Sequence, residues 1–110
     1  MSHDPEAISD VLGDPLIYTT ASARYFTESS ELMGEIKSLA KKYKMPLLML
    51  LAGEDLINDK EANKKWFENY GGENKTLKVY DGLYHEIFYE VDRKLPIQDF
   101  AEWVKDQTKP

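Results

Sequence analysis

Cysteine is absent from this chain, which excludes a disulfide framework, a thiolate-ligated zinc site and a thiol nucleophile. Oxygen and histidine chemistry remain. Long hydrophobic runs are absent too. The longest, residues 46–52, falls far short of the roughly 20 residues that span a bilayer as a helix, and the polar N-terminus has no apolar segment of signal-peptide type. These absences predict a cytoplasmic protein and leave peripheral membrane contact open. Positive charge is scarce: 14 Lys and Arg stand against 20 Asp and Glu, for a net charge of −6. Without a basic stripe the chain lacks the means to bind a phosphate backbone, and nucleic acid is excluded as a partner. The acidity is spread along the chain, with 5 basic and 7 acidic residues in 1–45 and 9 and 13 in 46–110, so there is no charged tail. Glycine-rich phosphate loops and nucleotide fingerprints are missing, and no cofactor is predicted.

What is present suits one globular domain: 110 residues, 42% hydrophobic and 31% charged, a composition well away from the disordered classes. Periodicity divides it near Pro46 into a helical front, residues 1–45, and an alternating strand and helix back, residues 46–110. Pro5 follows the capping-type residue Asp4, and Ile8, Val11 and Leu12 recur at helical spacing, predicting a short helix that Gly13-Asp14-Pro15 ends. A longer amphipathic helix is predicted over residues 20–43 from Leu32, Ile36, Leu39 and Tyr43, open to a kink or a break where Thr27, Ser29 and Ser30 form helix weakly. The apolar run 46–52 reads as a strand covered on both faces. Asn58 with Glu61 suggests a capped helix start, Ala62, Trp66 and Tyr70 give its stripe, and Gly71-Gly72 stops it. Residues 76–80 alternate as a half-covered strand, and Pro96 opens a last helix with Ile97, Phe100, Ala101 and Val104 on one face.

The fold class is therefore α/β, with two parallel strands joined through a helix. Such a pair is an incomplete sheet, since parallel sheets are normally built from several strands and covered on both faces. The strand at 47–51 expects another neighbour. Either this chain pairs with another through its open edge, or it is a portion of a larger α/β domain.

Ligands and catalytic groups in open parallel sheets gather at the carboxyl ends of the strands. Asp55 follows the first strand and His85 the second, so both loops share one edge. There a carboxylate can hold an imidazole tautomer through its Nδ1 hydrogen. Taken singly, an Asp after Gly is ordinary turn chemistry and a loop His an ordinary surface residue; their pairing on one edge, in that chain order, is what points to catalysis. Other groupings are weaker. His3 with Asp4 and Asp10 fixes no set of three ligands and reads as a polar helix start. The cluster Lys41, Lys42 and Lys44 is a solvated helix end.

The segment from Leu47 to Asp59, with Ala52-Gly53-Glu54-Asp55 at its centre, resembles the acid-bearing strand and loop of the α/β-hydrolase superfamily, and the segment from Leu77 to Glu86, with Tyr80-Asp81-Gly82-Leu83-Tyr84-His85-Glu86, resembles its histidine loop. The similarity is strongest to the monoacylglycerol lipase and lysophospholipase group, the serine aminopeptidase S33 type. Asp14-Pro15-Leu16 and the following helix also resemble the end of that group's cap domain. The resemblance implies the C-terminal portion of an α/β-hydrolase fold: residues 1–45 a helical cap remnant and connecting helix, residues 46–110 a βαβα part of the core. It implies Asp55 as triad acid, His85 as general base and a small lipid or ester as substrate; Tyr25, Phe26, Leu32 and Met33 match cap residues that line an acyl channel in such lipases, while their helical spacing reads more simply as core or cap packing. One element of the family pattern is missing. The nucleophile of this group is a serine in Gly-x-Ser-x-Gly; Ser2, Ser9, Ser22, Ser29, Ser30 and Ser38 are the only serines, and none has those flanking glycines. The chain alone is expected to lack esterase activity. The alternative to a serine-hydrolase fragment is a non-catalytic interaction module that pairs with itself or a partner through the open strand edge.

Overall fold

In the computed structural model, which describes residues 1–109, the chain runs through helix α1 (Pro5–Gly13), helix α2 (Ala23–Leu39), strand β1 (Leu47–Ala52), helix α3 (Lys60–Glu68), strand β2 (Lys75–Tyr80) and helix α4 (Lys94–Gln107). Short 3₁₀ turns occupy Ala40–Lys42 and Ile87–Tyr89. Asp4 caps α1 by accepting the Glu6 N–H, with Pro5 at the position where a missing N–H costs nothing. Ser22 caps α2 through the Tyr25 N–H. No break occurs at residues 27–30. Thr27 and Ser30 turn their hydroxyls onto the carbonyls of Ala23 and Phe26, so the groups that weaken a helix in isolation are satisfied within it.

The cap of α3 also differs from expectation. Asp59, not Asn58, accepts the Ala62 N–H at 3.0 Å, which releases the Asn58 side chain toward the neighbouring loop. Past the C-terminus of α3, the Lys75 ammonium reaches the carbonyls of Phe67, Glu68 and Tyr70, where a cation complements the helix dipole.

β1 and β2 pair in parallel, Leu47 opposite Lys75 and Ala52 opposite Tyr80. They form a two-stranded sheet, the α/β architecture with an open edge. The core is gathered at the carboxyl end of the sheet, from Ala52, Tyr80, Leu83 and Ile87 with Leu50 packed against them. β1 is not covered on both faces as its apolar run predicted: residues 47–51 are half-buried, as are residues 75–79 of β2. α4 is fastened by Asp99, which accepts from the Lys78 ammonium and the Tyr80 hydroxyl. The face of α4 predicted to pack, with Ile97, Phe100 and Val104, stays exposed.

These exposed apolar faces add up to a measurable surplus. The accessible surface is 8543 Å², whereas the size scaling of folded proteins gives about 6,200 Å² for 12.7 kDa. The radius of gyration is 16.2 Å, against about 13 Å for a compact domain of this length. An excess of roughly 2,300 Å² exceeds the area of a standard protein interface. Large apolar side chains stay exposed on α1, on residues 16–18, on α2 and on α4, as in a domain lacking part of its packing layers.

Candidate active site

Two loops leave the carboxyl edge of the sheet, and backbone bonds stitch them together. The Gly53 N–H donates to the Tyr80 carbonyl at 2.8 Å, and the Glu54 N–H to the Leu83 carbonyl at 3.0 Å. Lys60 reaches back from α3 to the Gly53 carbonyl at 2.8 Å. Close approach is what requires glycine at 53, because a Cβ there would lie 2.6 Å from the Asp81 Cα and 2.7 Å from the Tyr80 carbonyl oxygen. Gly82 carries the tight turn after β2 at φ +78°, a conformation that L side chains rarely adopt.

The stitched loops bring Asp55 and His85 together. One Asp55 oxygen, Oδ1, accepts the N–H groups of Ile57 and Asn58 at 2.8 and 2.9 Å, fixing the carboxylate against its own turn. The other, Oδ2, lies 2.9 Å from His85 Nδ1. Burial pushes the Asp55 pKa up, but the Asn58 N–H, the His85 ring and the Ile57 N–H outweigh that effect and hold it below the ordinary value. An ionised carboxylate only accepts hydrogen bonds, so the hydrogen of this pair resides on His85 Nδ1. Nε2 then carries the lone pair of the neutral ring and is the basic nitrogen. The Asn58 amide nitrogen also lies 3.3 Å from Nδ1, but a protonated Nδ1 has no lone pair to offer it, and Asp55 is the partner. The His85 side chain retains 28% of its exposure and Asp55 only 10%. The imidazole is reachable while the carboxylate is shielded. A shallow cleft of about 260 Å³ opens beside the pair, lined by Leu50, Ala52, Asn58 and Phe88 among others.

A family model described as "Serine aminopeptidase, S33" matches residues 1–92. The chain belongs to the serine aminopeptidase S33 family. Among solved structures the chain is similar to the monoacylglycerol lipase of Paleococcus ferrophilus, with a TM-score of 0.86 and 26% identity over 92% of this chain and 40% of that one. Among curated relatives, phospholipase YtpA of Bacillus subtilis is 34% identical over 82 residues, covering 74% of this chain and 32% of that protein. The monoacylglycerol lipase of Mycolicibacterium smegmatis is 27% identical over 105 residues, 94% of this chain and 38% of that protein. The chain thus spans about a third of the length of these two curated relatives.

Other residues singled out in the sequence lie elsewhere. Tyr25, Phe26, Leu32 and Met33 are exposed on α2. Asp4 caps α1 and pairs with Arg93 at 2.8 Å, while His3 turns to Glu90 at 3.1 Å; among the described residues no group of three His, Asp or Glu is placed to hold a metal. No helix among them is long and apolar enough to cross a membrane. Sequence reasoning missed Lys60, whose role depends on a carbonyl seven residues away, and Glu90, a buried carboxylate. The signal for Glu90 was available: a lone acid between Phe88-Tyr89 and Val91, in an apolar stretch just after the candidate base.

Proposed function

We propose that Asp55 and His85 are the acid and base of a Ser-His-Asp triad, and that the chain supplies the C-terminal portion of a carboxylic-ester hydrolase acting on monoacylglycerols, lysophospholipids or related small esters. The observation that carries this reading is the 2.9 Å contact of the shielded Asp55 carboxylate with Nδ1 of the reachable His85. It leaves Nε2 free to act as base. In the completed enzyme Nε2 takes the proton of a serine hydroxyl as its oxygen attacks the ester carbonyl. The imidazolium that forms is stabilised by Asp55 and returns its proton to the departing alcohol. Water then repeats the sequence on the acyl-enzyme and releases the fatty acid. The nucleophile is supplied by polypeptide outside these 110 residues, since no Gly-x-Ser-x-Gly occurs in them. The substrate class is supported by the names of the relatives, a phospholipase and monoacylglycerol lipases, and lipid substrates of that kind bring the enzyme to a membrane or micelle surface.

The test combines this chain with a polypeptide carrying the nucleophile elbow of an S33 relative and measures fluorophosphonate labelling of the serine. Labelling is expected in the mixture and expected to collapse with Asp55→Ala or His85→Ala in this chain. Labelling unchanged by both substitutions contradicts the assignment. A second reading rests on a separate observation, the open sheet edge and its surplus of exposed surface: a non-catalytic module that pairs through β1 by strand addition. A monodisperse, cooperatively folded monomer in sedimentation experiments counts against it.

A further inference from the structure

The segment preceding α1 lies along the histidine loop and grips it on both sides of His85. The Met1 carbonyl accepts the Glu86 N–H at 3.1 Å, and the Ser2 hydroxyl donates to the Tyr89 carbonyl at 2.7 Å. The His3 ring stacks on Tyr84 with centroids 3.6 Å apart. At the centre of this clasp stands Glu90, whose side chain is 1% exposed. Oε2 accepts the His3 backbone N–H at 2.9 Å. Oε1 accepts the Tyr84 N–H at 2.9 Å and faces His3 Nδ1 at 3.1 Å. A buried carboxylate is tolerated only where hydrogen bonds replace its water, and here three donors do so. Two of them belong to the incoming segment, and the third is the backbone N–H of the residue immediately before His85.

We infer that Glu90 is a positioning residue for His85: its carboxylate locks the backbone at Tyr84 and recruits His3 to hold it, so that the His85 ring meets Asp55 in one orientation. The inference rests on the proposed triad role of the Asp55 and His85 pair. Glu90 acts through the backbone, whereas Asp55 meets the ring directly, and the two carboxylates are separable by mutation. The role is specific to a carboxylate. In Glu90→Gln the amide oxygen can stand at only one of the two positions: at Oε1 it keeps Tyr84 and His3 Nδ1 while the NH₂ confronts the His3 N–H, at Oε2 it keeps the His3 N–H while the NH₂ confronts the Tyr84 N–H, and either way a backbone bond of the clasp becomes a repulsion.

The experiment is ¹⁵N imidazole spectroscopy and amide hydrogen exchange on the full 110-residue chain, whose two histidines are separately assignable. In the wild type His85 is expected in a single Nδ1–H tautomer. In Glu90→Gln the tautomers are expected to average and the Tyr84 and Glu86 amides to exchange at least tenfold faster, while Leu51 and Val79 in the strands keep their rates. A folded Glu90→Gln chain with the wild-type His85 tautomer and unchanged exchange at Tyr84 overturns the inference. Should Glu90→Gln fail to fold, His3→Ala, which keeps the carboxylate and removes one donor and the ring stack, is expected to speed Tyr84 exchange at least threefold; no change there overturns it equally. A wild-type His85 that lacks the Nδ1–H tautomer is a different failure: it contradicts the Asp55 pairing and takes this inference with it.

Discussion

Replacing Asp55 by Asn is the sharpest perturbation the site offers, because it exchanges one oxygen for an NH₂ group and leaves the turn intact. The structure decides which end of the new amide goes where. Oδ1 is held by the Ile57 and Asn58 N–H groups at 2.8 and 2.9 Å, so in Asp55→Asn the amide oxygen stays there. The NH₂ group then takes the Oδ2 position, 2.9 Å from His85 Nδ1. Two donors cannot share that line. The ring must present a lone pair at Nδ1 and move its hydrogen to Nε2, which removes the base from the atom that needs it. The cost to stability is the loss of one charge-assisted hydrogen bond in favour of a neutral one, about 1–2 kcal/mol. The cost to catalysis in a completed triad is far larger, about 10⁴-fold in kcat for a tautomer reversal of this kind. Imidazole ¹⁵N spectra of the isolated chain read the tautomer directly, and a urea titration reads the stability. A folded Asp55→Asn chain whose His85 keeps its hydrogen on Nδ1 refutes the reasoning, since Asp55 would then not be what fixes the ring.

Acid stability follows from the three shielded carboxylates. Burial raises the pKa of Asp55 and of Glu90, but their hydrogen bonds outweigh it, and Asp99 is lowered chiefly by Lys78 and Tyr80. Each therefore contributes stability that is complete above its ordinary value of 3.8 for Asp or 4.5 for Glu and lost as pH falls through its lower folded value; stability measured by urea titration is expected to decline below about pH 4.5, and a flat profile from about pH 5 to pH 2 contradicts this. Gly53→Ala drives a Cβ against the backbone of Tyr80 and Asp81 and is expected to cost about 1–3 kcal/mol, whereas Gly34→Ala, with nothing within 4 Å in mid-helix, is expected to gain up to about 1 kcal/mol; equal effects in urea melts would remove the close-approach argument. The surplus of exposed surface predicts that calorimetric unfolding of the monomeric chain has a heat-capacity change about 0.3 kcal/mol/K below that of a compact domain of equal length. A full-sized value means the surface is covered.

Much of this was legible from the sequence, for identifiable reasons. The βαβ order was written in punctuation: Gly53 ends β1, Gly71-Gly72 follows α3, and Gly82 turns the chain after β2. The meeting of Asp55 and His85 was legible because strand order brings their loops to one edge; the roles proposed for them came from the resemblance of the two motifs. The misses arose where a neighbour decides. Asn58 and Asp59 are both good caps, and only the Asp55 turn, which holds the Asn58 N–H, shifts the helix start to the second. The continuity of α2 through Thr27 and Ser30 depends on hydroxyls turning inward, which composition does not specify. Apolar periodicity in β1 and α4 marked faces made for burial, but periodicity cannot say whether the covering layer is in the same chain; in the structure β1 is half-buried and that face of α4 is exposed. Glu90 was missed because its partners, His3 and Tyr84, are brought to it by the path of the N-terminal segment across the histidine loop.

As proposed, this chain carries the acid and base of an ester hydrolase whose nucleophile lies on other polypeptide. Fatty acid released from a monoacylglycerol or a lysophospholipid, followed for the chain alone, for a nucleophile-bearing S33 polypeptide alone and for the two together, tests it most directly. No release is expected from the chain alone, and release by the mixture is expected to be abolished by His85→Ala. Hydrolysis by the 110 residues alone, or a mixture whose rate is indifferent to His85, contradicts it.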